Sequence, residues 1–169
     1  MKARGFSLTE LLVALAIGAL LLALAGPTFT QQRARAALRS ASGQTMSALH
    51  LARRLALARG QSVTVCLTSD GQRCGFGGTE WVLFANAAGG TDSRREEGEE
   101  LIRRWTVPSG VIVSGTRGYA AFQGRPGAAA TVTFEFRHAG APGSMRGIVV
   151  SQTGRPRLVG QDQQAGPAR

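Results

Sequence analysis

Near its C-terminus the chain reads Gly154-Arg155-Pro156-Arg157, two arginines flanking a proline just after a glycine. Guanidinium groups so placed can grip phosphate or carboxylate bidentately. Gly154 can take turn conformations closed to other residues, and Pro156 fixes its own φ while restricting Arg155. The two side chains are therefore presented with less freedom to lose on binding. No aromatic residue interleaves the motif and no recognition helix accompanies it, so a nucleic acid held here would be held by charge and not by base identity. A related turn, Gly124-Arg125-Pro126, makes Arg125 a further candidate for the same surface, with a plain loop as its other reading. The plain alternative for Gly154 to Arg157 is a solvated hairpin end.

Other reactive side chains point away from catalysis. His50 and His138 are isolated in sequence, no serine sits in a nucleophile-elbow setting, and no glycine-rich phosphate loop with its lysine is present. The two cysteines, Cys66 and Cys74, are too few for a metal site and neither histidine stands at a ligand-like spacing. We expect no enzyme activity, no cofactor and no metal.

The charge balance favours an anionic partner. Of the 20 basic residues, Lys2 is the only lysine, and the formal net charge is +10. Arginine with abundant alanine and glycine also follows from a GC-rich genome. Residues 28 to 61 carry Arg33, Arg35, Arg39, Arg53, Arg54 and Arg59 with no acid, whereas residues 92 to 104 hold five acids against four arginines and are expected to neutralise themselves. From Trp105 onward seven arginines face Glu135 and Asp162, and the Gly154 to Arg157 motif sits in this second basic region. Arg53, Arg54 and Arg59 read as a solvated helix face, and Glu96, Glu97, Glu99 and Glu100 as a solvated loop, or else as contacts for other subunits.

The N-terminus supplies the address. Lys2 and Arg4 precede an uncharged run from residue 11 to residue 32, about the length that crosses a bilayer as a helix. Glu10 stands at its front, where a carboxylate is costly unless paired. A cleaved secretory signal leaves that glutamate unexplained. The run Arg4-Gly5-Phe6-Ser7-Leu8-Thr9-Glu10 and the apolar residues after it resemble the class III signal of type IV pilins and type II secretion pseudopilins. The resemblance implies cleavage between Gly5 and Phe6 by a prepilin peptidase, N-methylation of Phe6, and pairing of Glu10 with the terminal ammonium of a neighbouring subunit during filament assembly. Residues 1–5 are then a leader, residues 6–27 a transmembrane helix, and residues 28–169 a globular domain. Pro27 falls where many pilins bend. The basic residues on the two sides of the span give no clear orientation. The family resemblance and the cysteines place the domain in the periplasm, anchored in the bacterial inner membrane, and later on the pilus or cell surface.

The remaining elements must position the motif. Residues 28 to 59 are rich in alanine, leucine and arginine and predict a helix, with Leu38, Leu49, Ala52 and Ala56 on one face and Gly60 as its stop. Extended runs follow at 62–68, 80–86, 101–107, 111–115, 131–137 and 147–152, with 157–159 as a short partner across a turn at Thr153 and Gly154. Val132, Phe134 and Phe136 alternate with Thr133, Glu135 and Arg137 as a half-buried strand requires. The expected class is α+β and type IV pilin-like: a long N-terminal helix packed on antiparallel sheet. In an exported domain, Cys66 and Cys74, with Asp70 and Gly71 between them, read as a disulfide closing a hairpin.

The segments around the cysteines and the C-terminal Val149 to Leu158 resemble the FimT/GspH group, and the cysteine pair with the Gly-Arg-x-Arg tail looks more like FimT. That resemblance implies a minor pilin of a type IV pilus, binding double-stranded DNA through Gly154, Arg155 and Arg157 in natural transformation, with other pilins and the prepilin peptidase as further partners. The alternative is a GspH-like structural pseudopilin of type II secretion that does not bind DNA.

Overall fold

The computed structural model describes residues 7–125 and 129–160, apart from the side chains of residues 21–28. One helix and eight strands follow in chain order: α1 (Leu8–Arg59), β1 (Val63–Thr68), β2 (Glu80–Ala85), β3 (Leu101–Thr106), β4 (Val111–Gly115), β5 (Tyr119–Phe122), β6 (Val132–His138), β7 (Met145–Val150) and β8 (Pro156–Val159).

The two halves of α1 meet different surroundings. Leu8, Leu11, Leu12, Val13, Leu15 and Leu20 are all more than half exposed, as on a helix that projects from a domain. Among the described residues no helix is long and apolar enough to cross a membrane. The expected span, residues 6–27, lies in part outside them, and so does the side chain of Pro27. The C-terminal half buries Ala34, Leu38, Ala41, Leu49, Ala52 and Ala56. Alanine at the contact lets the helix axis lie close to the strands, and the Ser42 hydroxyl, buried on the same face, donates to the Leu38 carbonyl.

Eight strands form two antiparallel sheets, ordered β3-β2-β1-β5 and β4-β6-β7-β8, and α1 contacts strands of both. The expected helix on antiparallel sheet is present with the sheet divided in two, and the four residues of β5 form a strand beyond those expected from sequence. Trp81 joins the sheets: it stacks on Trp105 at 5.9 Å and meets Phe134 of the second sheet edge-on at 5.2 Å. In β6, Val132, Phe134 and Phe136 are buried and the intervening residues are not.

All six residues of β1 are buried, because both of its faces are covered. Val63, Val65 and Leu67 belong to the core with α1, while Cys66 packs with Val82, Phe84, Cys74 and Tyr119. Cys66 and Cys74 form a disulfide with Cα atoms 5.2 Å apart. It does not close the β1–β2 hairpin: β1 pairs with β2 through Val82 opposite Cys66, and the bond ties the connecting segment back onto β1 beside a Thr68–Cys74 bridge. Asp70 organises that segment. Its carboxyl is held at about 2, chiefly by the backbone N–H of Gln72, then that of Arg73 and the Thr68 hydroxyl.

Candidate nucleic-acid interface

The motif occupies the β7–β8 turn at a sheet edge. Gly154 N–H donates to the Ser151 carbonyl at 2.8 Å, and Ser151 N–H donates to the Arg155 carbonyl at 3.2 Å. The Ser151 hydroxyl accepts from Arg155 N–H at 3.3 Å and lies 2.8 Å from the Thr153 hydroxyl. Gly154 sits at φ +71°, in the left-handed region that favours glycine. The turn also docks outward, since Ala129 N–H donates to the Gln152 carbonyl at 3.2 Å.

Strand pairing then aims the arginines. Leu158 stands opposite the buried Ile148 and Pro156 opposite the buried Val150, so Arg157, opposite Val149, leaves the other face. Arg155 opposes Ser151 two residues earlier and shares that face. Both side chains are exposed, and no hydrogen bond or ion pair among the described residues engages either guanidinium. Glu135 on β6 is taken by Arg137 at 3.0 Å.

The surroundings of the turn come from distant segments. A Cβ placed on Gly154 would stand 3.5 Å from Phe122 Cδ1, 3.5 Å from Ala129 Cβ and 3.6 Å from Arg53 Nε. Arg125 belongs to the loop that leaves at Phe122 and returns at Ala129, which bridge each other, and its side chain is exposed. Gly124 fixes that loop against the end of α1, for a Cβ there would come 2.2 Å from the Gly60 carbonyl carbon. The structure thus brings Arg125's loop to the flank of the turn.

The helix arginines do not form the uniform solvated face read from sequence. Arg54 is exposed, Arg53 is half-buried against the turn, and Arg59 pairs with Glu100. Sequence alone does not separate Arg53 from Arg54 and Arg59, although its place one turn after the buried Leu49 puts it on the flank of the apolar face. The acidic run is likewise not a plain solvated loop. Glu99 is 5% exposed, and its carboxylate accepts from the N–H groups of Ala87 and Glu96, each at 2.8 Å. Nor is the segment neutralised only from within, since Glu100 reaches Arg59 and Arg104 reaches Glu80 at 3.5 Å.

Other sequence candidates stand apart. Glu10 lies exposed in the first turn of α1, and Gly5 and Phe6 fall outside the described residues. Among the described residues no three His, Cys, Asp or Glu side chains are grouped as metal ligands.

With this geometry in place, the family model of the type II transport protein GspH matches residues 41–154. That of the prokaryotic N-terminal methylation motif matches residues 1–26. The fold is similar to the type IV minor pilin FimU of Pseudomonas aeruginosa, with TM-score 0.58 and 18% identity over 79% of this chain and 96% of that one. It is also similar to the minor pseudopilin EpsH of the Vibrio cholerae type II secretion system, with TM-score 0.54 and 14% identity over 73% of this chain and 96% of that one. At such identities the likeness speaks for the fold alone. No curated protein matches the chain.

Proposed function

This chain belongs to the GspH family and is a minor pilin or pseudopilin of the type IV pilus and type II secretion class, and we propose that within it the protein serves a type IV pilus by binding double-stranded DNA for uptake in natural transformation. The observation that carries this reading is the pair of exposed guanidiniums of Arg155 and Arg157, without a partner among the described residues and sent to one face by a turn with its own hydrogen bonds. Phosphates are the target, and binding is independent of sequence because nothing in the turn reads base edges. Arg125 borders the same surface.

Export follows the pilin route. The leader is removed after Gly5 by a prepilin peptidase, Phe6 is N-methylated, and residues 6–27 hold the chain in the inner membrane with the domain in the periplasm. Glu10 then pairs with the terminal ammonium of a neighbouring pilin on assembly. The methylation-motif match and the exposed apolar first half of α1 support this route.

Titration of the detergent-solubilised full-length protein with a short labelled duplex over a range of salt tests the DNA reading. Arg155→Ala and Arg157→Ala are each expected to lower the slope of log affinity against log salt by about 0.9, and to cost on the order of 1.5 to 3 kcal/mol. A matched double variant, Arg94→Ala with Arg103→Ala, removes two exposed charges away from the turn and should leave binding near wild type. Arg94 is a better control than its neighbour Arg95, which donates to the Glu99 carbonyl at 2.9 Å. Equal loss in both double variants would reduce the motif to part of a diffuse positive field. The match to the family model of a type II transport protein favours a second reading, a structural pseudopilin of type II secretion. Absence of binding by the wild type at low salt would overturn the first reading and leave the second.

A further inference from the structure

The geometry points to Arg53 of α1 as a third phosphate-binding cation of the same site, so that the DNA interface is built jointly by the helix and the β7–β8 turn. The inference rests on the DNA reading above and adds a residue outside the C-terminal motif.

Arg53 comes to the turn because of where it stands on α1. Leu49, Ala52 and Ala56 are fully buried against the sheets, and Arg53 flanks that face, half-buried. Its Nε stands beside the β7–β8 turn, as expected of an arginine whose apolar stem is partly covered. The absence of a side chain at Gly154 leaves Arg53 Nε beside the turn, 3.6 Å from where a Cβ would stand, and Arg155 is the next residue along the chain. Arg53 on the helix side of the turn, and Arg155 and Arg157 on its other face, thereby border one sheet edge from segments a hundred residues apart in sequence.

The described part of the fold gives Arg53 no role that would account for its charge. Among the described residues it makes no hydrogen bond or ion pair, whereas Arg59, further along the same helix, is engaged by Glu100. A half-buried guanidinium gives up part of its hydration, and without a carboxylate partner that loss is uncompensated until an anion arrives. A phosphate at the turn supplies one. Duplex DNA offers a charge every ~3.4 Å of rise on each strand, so a backbone laid along this edge presents phosphates to cations on both of its sides. Because Arg53 sits on α1, the site is complete only when the helix is packed on the second sheet.

The competing role is packing, with Arg53 merely flooring the turn, and it predicts a different signature. Arg53→Met keeps the apolar stem and removes the charge, while Arg53→Lys keeps the charge and loses the planar fork. With full-length protein and a short labelled duplex, Arg53→Met should lower the salt slope by about 0.9 and weaken binding roughly ten- to a hundredfold at low salt. Arg53→Lys should keep the wild-type slope. Thermal melting should match wild type for both. Weakened binding of Arg53→Met with an unchanged slope would assign Arg53 to packing and overturn the inference, as would wild-type binding by Arg53→Met while Arg155→Ala is impaired. A wild-type protein that bound no duplex would overturn the DNA reading itself, and this inference with it.

Discussion

Among the described residues Arg155 and Arg157 leave the edge of the second sheet without meeting an acid, whereas Asp92, Arg95, Glu99, Glu100 and Arg104 are tied to one another or to neighbouring elements. Glu99 holds two backbone N–H groups, Glu100 holds Arg59, Arg104 meets Glu80, and Asp92 accepts from Ser62 at 2.8 Å and from Asn86 at 2.6 Å. Both regions are rich in the same side chains, yet one uses its charge to organise loops and the other leaves it available to a ligand. A formal net charge of +10 therefore says less about binding than the subset of cations left unpartnered. If that contrast is right, damage to the acidic segment should be read in stability and damage to the turn in affinity.

The largest expected effect tests the organising side. Glu99→Ala removes the acceptor of Ala87 N–H and Glu96 N–H from a nearly buried position, leaving both donors without a partner. A loss of about 3 kcal/mol in unfolding free energy is expected, with a smaller loss for Glu99→Gln, whose side-chain oxygen still accepts. Chemical denaturation gives the number, and DNA affinity per folded molecule should stay at the wild-type value. An affinity loss in that variant would mean that the two regions are coupled.

How far these roles could be read from sequence depends on what each residue's partners are. The alternation of Val132, Phe134 and Phe136 is visible because β6 buries a single face, and Gly60 marks the helix end because α1 stops at a left-handed residue there. β5 escapes notice because Tyr119-Ala120-Ala121-Phe122 is short and holds no β-branched residue, and it becomes a strand only through pairing with β1. The split into two sheets is likewise a matter of pairing between distant segments. Gly154, Arg155 and Arg157 stand out as a local motif, but Arg53 acquires its place from tertiary packing alone. Glu99 sits in a run that looks solvated, and its burial follows from N–H groups supplied by Glu96 and the distant Ala87.

An intermediate effect tests the turn. At φ +71° an alanine in place of Gly154 costs about 1 to 2 kcal/mol. The strain comes from the backbone and not from crowding, since the nearest atoms would lie at ordinary contact distances of 3.5 and 3.6 Å. Gly154→Ala should therefore lower the melting temperature and weaken DNA binding together, because relaxing the turn displaces Arg155. Gly154→Asn, which tolerates the left-handed region better, should do less of both. A Gly154→Ala protein that melts earlier yet binds DNA with wild-type affinity and slope would show that presentation by the turn is immaterial.

The smallest effect bears most directly on the contrast between partnered and unpartnered charge. Arg59 and Glu100 are 37% and 57% exposed, so solvent screens their pair, and a double-mutant cycle on stability should return only about 0.2 to 1 kcal/mol, shrinking as salt is added. The DNA readout of the same variants is more telling. Glu100→Ala raises the net positive charge and frees Arg59 on the helix that carries Arg53, without adding a cation at the turn. If the site is local, the affinity and salt slope of Glu100→Ala should match wild type, and Arg59→Ala should also be silent. Should Glu100→Ala instead strengthen binding by as much as Arg155→Ala weakens it, total charge would govern DNA binding and the distinction between the two regions would collapse.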